Sequence, residues 1–318
     1  MGELRFDGQV AVVTGAGRGL GRHHALLLAS RGARVVVNDV GGSVTGGGSC
    51  GDPANDATQQ IKDIGGEAVA DTNSVTTPEG GQAIIDTALN AWGRVDILVN
   101  NAGTVADAAF HDMTEERLDP LLDVHLKGAF FVTRPAWKVM RQQHFGRIVN
   151  TCSAAGILGA PRMSNYGAAK TGLIGLTRVL AAEAAGLDIK VNAVAPVAAT
   201  RMMNYSLDSA AEADNAPRAR GTSTEAEELM RPFLDRLDPG LVSPAVAFLA
   251  HAECPVSGEI YTVGGGQICR FFIGRTKGYY NPALSLEDVR AHFEQIRDTS
   301  EYSIPAGPAE EMANLTKR

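Results

Sequence analysis

Short apolar runs recur along the chain at 9–14, 34–39, 67–71, 95–101, 147–153, 190–196 and 260–263, and most are rich in β-branched residues. Between them lie longer stretches whose apolar positions repeat with helical period, among them 21–30, 78–92 and 166–185. Continuous apolar runs indicate strands covered on both faces, and strands separated by helices indicate parallel βαβ units. Such crossovers are right-handed, so repeating them winds helices onto both faces of one sheet and places ligands at its carboxyl edge. The expected fold class is α/β, a doubly wound parallel sheet. Ser243-Pro244 reads as an N-cap and first-turn proline opening a helix over 245–252. Two regions leave the alternation. The stretch 201–242 is polar and too long for a plain connection, and reads as a partly helical lid over the sheet edge or a disordered insertion. Residues 267–318 form a C-terminal extension, with a helix over 286–296, expected to serve packing or oligomer contact. The alternating α/β body is thus 1–266.

Composition leaves this picture standing: 318 residues, 44% hydrophobic and 20% charged, are ordinary for a globular chain. A net charge of −7 without a Lys/Arg block argues against a nucleic-acid or anionic-membrane partner. The N-terminus lacks a signal peptide's apolar stretch, and no run of about 18 apolar residues could span a membrane. Cys50, Cys152, Cys254 and Cys269 are scattered without C-x-x-C, and read as reduced thiols of a cytoplasmic protein. The histidines offer neither H-x-x-x-H nor H-E-x-x-H, so no metal is expected.

The candidate chemistry begins where the first strand runs into Thr14-Gly15-Ala16-Gly17-Arg18-Gly19-Leu20-Gly21. G-x-G-x-x-G is not met in any frame; the pattern is T-G-x-x-x-G-x-G, with shared physics. Glycines let the backbone approach a pyrophosphate, and the next helix points its N-terminus at it. Asp39, 18 residues beyond Gly21, ends the second strand. A carboxylate there can accept from both adenosine ribose hydroxyls and repels a 2′-phosphate, which favours NAD over NADP. Arg18 could reach such a phosphate and argues the other way, but a carboxylate facing a phosphate is the costlier arrangement. Without the glycine turn, Asp39 would read as a strand-end turn acid. The glycine run over 41–49 follows the acid instead of leading a helix, so it is not the pyrophosphate cradle. It reads either as an extended loop beside the adenosine site or as a plain flexible loop.

The fourth strand ends in Asn100-Asn101-Ala102-Gly103 and the fifth in Thr151-Cys152-Ser153; Tyr166 follows 13 residues after Ser153, and Lys170 four after that. The i, i+4 spacing puts Tyr166 and Lys170 on one helix face. A phenol has a pKa of about 10, and a neighbouring ammonium and a positively charged nicotinamide would each lower it. Tyr166 could then take a proton from an alcohol as hydride leaves, or give one to a carbonyl. Ser153 would hold the substrate oxygen. Met202-Met203 reads as an apolar substrate wall or as lid packing.

TGAGRGLG, NNAG, Ser153, YGAAK and VNAVAP, in that order over 6–266, resemble the short-chain dehydrogenase/reductase family. The resemblance implies a Rossmann-like domain, a nicotinamide cofactor and a catalytic set of Ser153, Tyr166 and Lys170. It further implies cofactor contacts at Gly15, Arg18, Gly19, Leu20, Gly21 and Asp39, at Ser74 and Val75, and at Asn101, Ala102 and Gly103. Tyr166, Lys170, Pro196, Ala198 and Thr200 complete that set. Association into a homo-oligomer through the fourth and fifth helices is implied too. VVVNDVGG with its glycine extension, VHLKGAF, APVAATRMM and the tail GYYNPALSLEDVRAHFEQI are similar to the (3R)-hydroxyacyl-CoA dehydrogenase units of peroxisomal multifunctional enzymes of type 2. That implies NAD-dependent oxidation of a 3-hydroxyacyl-CoA, from a fatty or sterol-derived acyl chain, to the 3-ketoacyl-CoA. Two departures stand out: His125 occupies the place of the family's water-holding asparagine, and Val197 follows Pro196 where glycine is usual. A dehydrogenase of a free secondary alcohol such as a hydroxysteroid, and an NAD-sensing binding protein, are the alternatives.

Overall fold

The computed structural model describes residues 2–214 and 236–316. The expected alternation is present: β1 (Val10–Thr14), α1 (Gly19–Ser30), β2 (Arg34–Asn38), α2 (Asp52–Asp63), β3 (Glu67–Asp71), α3 (Pro78–Trp92), β4 (Ile97–Asn100). It continues through α4 (Glu115–Leu122), a π-helical turn (Asp123–Lys127), α5 (Gly128–Gln142), β5 (Gly146–Thr151), α6 (Ala154–Leu158), α7 (Ser164–Glu183) and β6 (Ile189–Pro196). Then come α8 (Arg201–Asp214), α9 (Ser243–Ala250), β7 (Ile260–Gly264) and β8 (Gln267–Phe271). The strands form an eight-stranded sheet in the order β3-β2-β1-β4-β5-β6-β7-β8. Pairings from β3 across to β7 are all parallel. The order reverses between β1 and β4, and that switch opens a ligand crevice at the carboxyl ends.

Two apolar layers hold the sheet. Strand side chains alternate between faces, so Ala11 and Val13 pack with Ala25 and Leu28 of α1 and Ile61 of α2. Val10 and Val12 pack on the other face with Ile84 and Ile85 of α3 and Val132 and Met140 of α5. These side chains are fully buried, and burying each valine, leucine or isoleucine contributes about 1.5–3 kcal/mol. Local signals agree with the packing at α3. Thr77 caps it by accepting from Gly80 N at 3.0 Å, Pro78 opens it, and Gly93 ends it at φ 73°, a conformation in which glycine carries no Cβ strain.

The chain divides into two compact units, Met1–Arg270 and Phe271–Arg318. In the second, β9 (Arg275–Thr276) pairs antiparallel with β10 (Tyr302–Ser303), and Tyr279 stacks on His292 at 3.8 Å. The helix expected over 286–296 is two helices, α10 (Leu286–Ala291) and α11 (Phe293–Arg297), parted at His292. A capping box between Ser285 and Asp288 starts the first. A last helix, α12 (Pro308–Thr316), was not expected. Another correction concerns Ser243. A 3-10 turn (Pro239–Val242) runs straight into α9, so Ser243 is inside the helix, and its hydroxyl meets His24 Nδ1 at 2.8 Å instead of capping. Of the expected lid, 201–214 is α8; residues 215–235 lie outside the described residues.

Candidate active site

The glycine turn is built by close approach. A Cβ on Gly21 would stand 2.2 Å from Gly15 O, and one on Gly17 would stand 2.6 Å from Pro53 Cβ. Gly15 and Gly19 hold φ of 63° and 52°, where L side chains are strained. Arg18 precedes α1 and makes no side-chain cap, so first-turn N–H groups of the helix stay free for an anion. These residues fit the pyrophosphate of a dinucleotide.

Buried polar groups brace that turn. Thr14 Oγ1 accepts from the N–H of Asn101 at 3.0 Å and of Ala102 at 3.1 Å, and Asn101 Nδ2 donates to Thr14 O and Gly15 O at 3.0 and 3.1 Å. Asn101 thus ties β1 to β4. Asp39 sits where expected, beside the turn, and accepts from Gly17 N at 2.9 Å and Gly41 N at 2.7 Å. Each carboxylate oxygen keeps a lone pair for a further donor. The glycine run is an ordered strap: Ser43 N donates to Gly47 O, Cys50 N to Val40 O, and Val105 N to Val44 O at 3.1 Å. It reaches from the acid at the end of β2 to the loop after β4. Ser74 closes a local turn with Thr76, and Val75 is buried against Gly128. Beyond β6, which ends at Pro196, Ala198 is buried in the core and Thr200 precedes α8, its hydroxyl accepting from Met203 N.

Ser153, Tyr166 and Lys170 come together at the neighbouring strand ends. Ser153 caps α6, accepting from Ala155 N at 3.2 Å, and hydrogen-bonds Tyr166. Lys170 Nζ donates to Thr151 O at 2.6 Å and stands 5.5 Å from the Tyr166 ring centroid. The i, i+4 spacing places them as expected, but the electrostatics differ from expectation. Burial pushes the Tyr166 phenol up to about 12, against a lowering contribution from Ser153. Burial also pulls Lys170 down to about 8. The ammonium lies toward the ring and its hydrogen bond goes to a backbone carbonyl, so desolvation outweighs it.

His125 rides the π-helical turn, a geometry common at functional sites. It is buried, packs edge-on against Tyr166 at 5.2 Å, and places Nε2 2.9 Å from Thr104 N and 2.8 Å from Thr104 O. Its Nδ1 is buried without a partner. Burial and Lys170 hold its pKa well below the usual value, so it is a neutral ring. Gly103 makes room for it, since a Cβ there would lie 2.5 Å from His125 Cε1.

Residues 9–211 match the short chain dehydrogenase family. The chain belongs to that family. It is 37% identical over 313 residues to peroxisomal multifunctional enzyme A of Dictyostelium discoideum, covering 98% of this chain and 65% of that protein. It is 39% identical over 322 residues to the peroxisomal hydratase-dehydrogenase-epimerase of Neurospora crassa, covering 98% of this chain and 33% of that one. Among solved structures, full-length peroxisomal multifunctional enzyme type 2 from Drosophila melanogaster superposes with a TM-score of 0.76 at 33% identity, over 98% of this chain and 49% of that chain. The chain therefore spans between a third and two thirds of these relatives. Short-chain dehydrogenases are oxidoreductases that use NAD or NADP.

Sequence reasoning passed over several groups around this candidate site. Thr14 and the carbonyl of Thr151 do structural work that residue type does not advertise. Asn165 and Asp107 did carry a signal, as polar residues in otherwise small or apolar stretches. Asn165 is buried, and its amide donates to Ala106 O at 3.0 Å and Arg117 O at 2.9 Å.

Proposed function

We propose that this short-chain dehydrogenase oxidises a 3-hydroxyacyl-CoA to the 3-ketoacyl-CoA with NAD. The observation that carries the reading is the meeting of Ser153, Tyr166 and Lys170 beside the glycine turn, in a chain resembling dehydrogenase-bearing multifunctional enzymes along nearly its whole length. In the reaction, Ser153 donates a hydrogen bond to the substrate oxygen, and Tyr166 takes the hydroxyl proton as the carbon–oxygen double bond forms. Lys170, anchored on Thr151 O, fixes the helix face that presents the phenol. A nicotinamide, when bound, would supply the hydride acceptor and a positive charge that favours the phenolate, opposing the burial that pushes the phenol up to about 12. Asp39, already poised by two backbone N–H groups, supports NAD over NADP: its remaining lone pairs suit ribose hydroxyls and its charge opposes a phosphate.

Phe130, half exposed on α5, supports association through that helix, which sedimentation would test. The named relatives are peroxisomal, and we read this compartment as the competitor of the cytoplasmic expectation; fractionation of the native protein separates them. No described helix is long and apolar enough to cross a membrane. The deciding experiment is a panel of straight-chain and sterol-derived 3-hydroxyacyl-CoA substrates and free secondary alcohols, with NAD and NADP, followed by reduced-nicotinamide absorbance. Turnover of free alcohols alone would sink the acyl-CoA reading.

A further inference from the structure

The proposed chemistry gives no task to the glycine run over 41–49, yet the run is ordered. Residues 39–51 join β2 to α2, at least twice the usual length of about 2–6 residues for such a connection. The segment leaves β2 at Asp39 and returns at Cys50, whose N–H donates to Val40 O at 3.0 Å. Gly41 lets the two limbs cross, since a Cβ there would collide with Cys50 O. At the tip, Gly46 N donates to Ser43 O at 3.0 Å and Ser43 N to Gly47 O at 2.8 Å. That tip is tied to the loop after β4: Val105 N donates to Val44 O at 3.1 Å, and a Cβ on Gly46 would stand 3.2 Å from Thr104 Cγ2.

The sheet order makes this strap a bridge. β1 lies between β2 and β4, and the three run parallel. A strap from the carboxyl end of β2 to the loop after β4 therefore crosses the carboxyl end of β1, where the glycine turn starts. Arg18 of that turn donates from Nη1 to Gly42 O at 3.4 Å, which sets the strap beside the turn. Its two anchorages belong to opposite ends of the crevice. At the base, Gly41 N holds the Asp39 carboxylate at 2.7 Å. At the tip stands Thr104, whose backbone meets His125 Nε2, and His125 packs on Tyr166. The crossing is light: Ser43 and residues 45–50 are exposed, and one backbone hydrogen bond is worth little net against water. The tip can therefore lift while the sheet stays intact.

We propose that the strap is a gate over the coenzyme. A dinucleotide laid from Asp39 toward Tyr166 runs between the strap and the strand ends, and the tip has to lift for it to enter or leave. Breaking the Val44–Val105 contact then limits coenzyme exchange in both directions. The inference rests on a dinucleotide binding at the glycine turn, and not on which alcohol is turned over.

The test needs no substrate. The probe is NADH binding to the full chain, followed by fluorescence in stopped flow, and two alterations push the strap in opposite directions. Removing 43–48 joins Gly42 to Ser49 and keeps the Val40–Cys50 closure. Association and dissociation should then both quicken at least about tenfold, so that Kd moves little. The opposite variant is Gly46→Cys with Thr104→Cys, built on Cys50→Ser and Cys269→Ser to remove the two exposed thiols. The two Cβ atoms would stand 3.9 Å apart, a span that suits a disulfide. Oxidation should slow NADH binding at least about tenfold, and a thiol reductant should restore it. Unchanged rates in the shortened strap overturn the gate, and so does faster dissociation without faster association, which marks a mere contact wall. Unslowed binding to the oxidised pair overturns it as well. Gly46 holds φ 90°, where a cysteine is strained; should that disulfide not close, the shortened strap decides alone, and the locked pair decides should the shortened chain not fold by circular dichroism. Failure of the underlying reading shows separately, as absence of NADH binding to the wild type.

Discussion

The two ends of the crevice are built from different materials. At the glycine turn the working parts are backbone N–H groups, missing Cβ atoms and one half-buried carboxylate held by Gly17 and Gly41. Around Tyr166 they are titratable side chains whose states depend on burial: Tyr166 pushed up to about 12, Lys170 of the same helix pulled down to about 8, and His125 of the π-helical turn held neutral. The first end is a matter of shape and the second a matter of solvation. Damage at the first should therefore appear in coenzyme affinity, and damage at the second in turnover and its pH dependence.

The sharpest way to break this division is Tyr166→Phe. Loss of a general acid-base should cost about 10²–10⁴-fold in kcat, with coenzyme Kd by fluorescence titration staying within about twofold. A matching loss of coenzyme affinity would erase the distinction. The mirror-image variant is Gly21→Ala. Its Cβ would stand 2.2 Å from Gly15 O and 2.5 Å from Asn101 Nδ2, so the cradle must distort. We expect coenzyme KM to rise at least about tenfold, a loss of about 1.4 kcal/mol of binding, with the pH profile unmoved. Next comes Asp39→Ala, which should lower the NAD-over-NADP ratio of kcat/KM by roughly tenfold or more, since a ribose-binding charge is worth a charge-assisted hydrogen bond. An unchanged ratio would leave Asp39 as a brace for the turn alone.

Two effects depend on pH. Because burial raises the Tyr166 phenol, its proton-accepting form grows as pH rises. Alcohol oxidation should climb by up to about tenfold per pH unit below the phenol's midpoint, and carbonyl reduction should not follow that climb. The smallest effect belongs to the shape end. His24 of α1 is fully enclosed, with Nδ1 on Ser243 and Nε2 without a partner, and burial pulls it down to about 3. Between that value and the ordinary value of 6.5, the unfolded chain binds the proton and the folded chain does not. Its contribution is fully present above about pH 6.5 and shrinks by up to about 1.4 kcal/mol per pH unit as pH falls toward 3. Denaturant midpoints at pH 7.5 and 5.5, for wild type and His24→Gln, would read this slope.

The same division explains how far residues alone could be read. A glycine's role at a close approach is local, and so are the run lengths of β1 to β7, the capping of α3 and the spacing of Tyr166 to Lys170; each is written within a few positions of sequence. Ser243 was misread because the 3-10 turn before it continues into α9, and its hydroxyl is claimed by His24, more than two hundred residues away in the chain. The helix over 286–296 was misread because a break at His292 leaves no mark in its apolar periodicity. The amino-acid order by itself determined the doubly wound sheet, the glycine cradle, the acid at the end of β2 and the Tyr–Lys helix face, because backbone geometry and side-chain period act over short range. Tertiary structure decided what those groups are: a phenol made less acidic by enclosure, a neutral histidine on a π-helical turn packed on Tyr166, and a glycine run drawn into a strap. Desolvation and charge are fields summed over atoms far apart in sequence, and only the folded arrangement sets their sum.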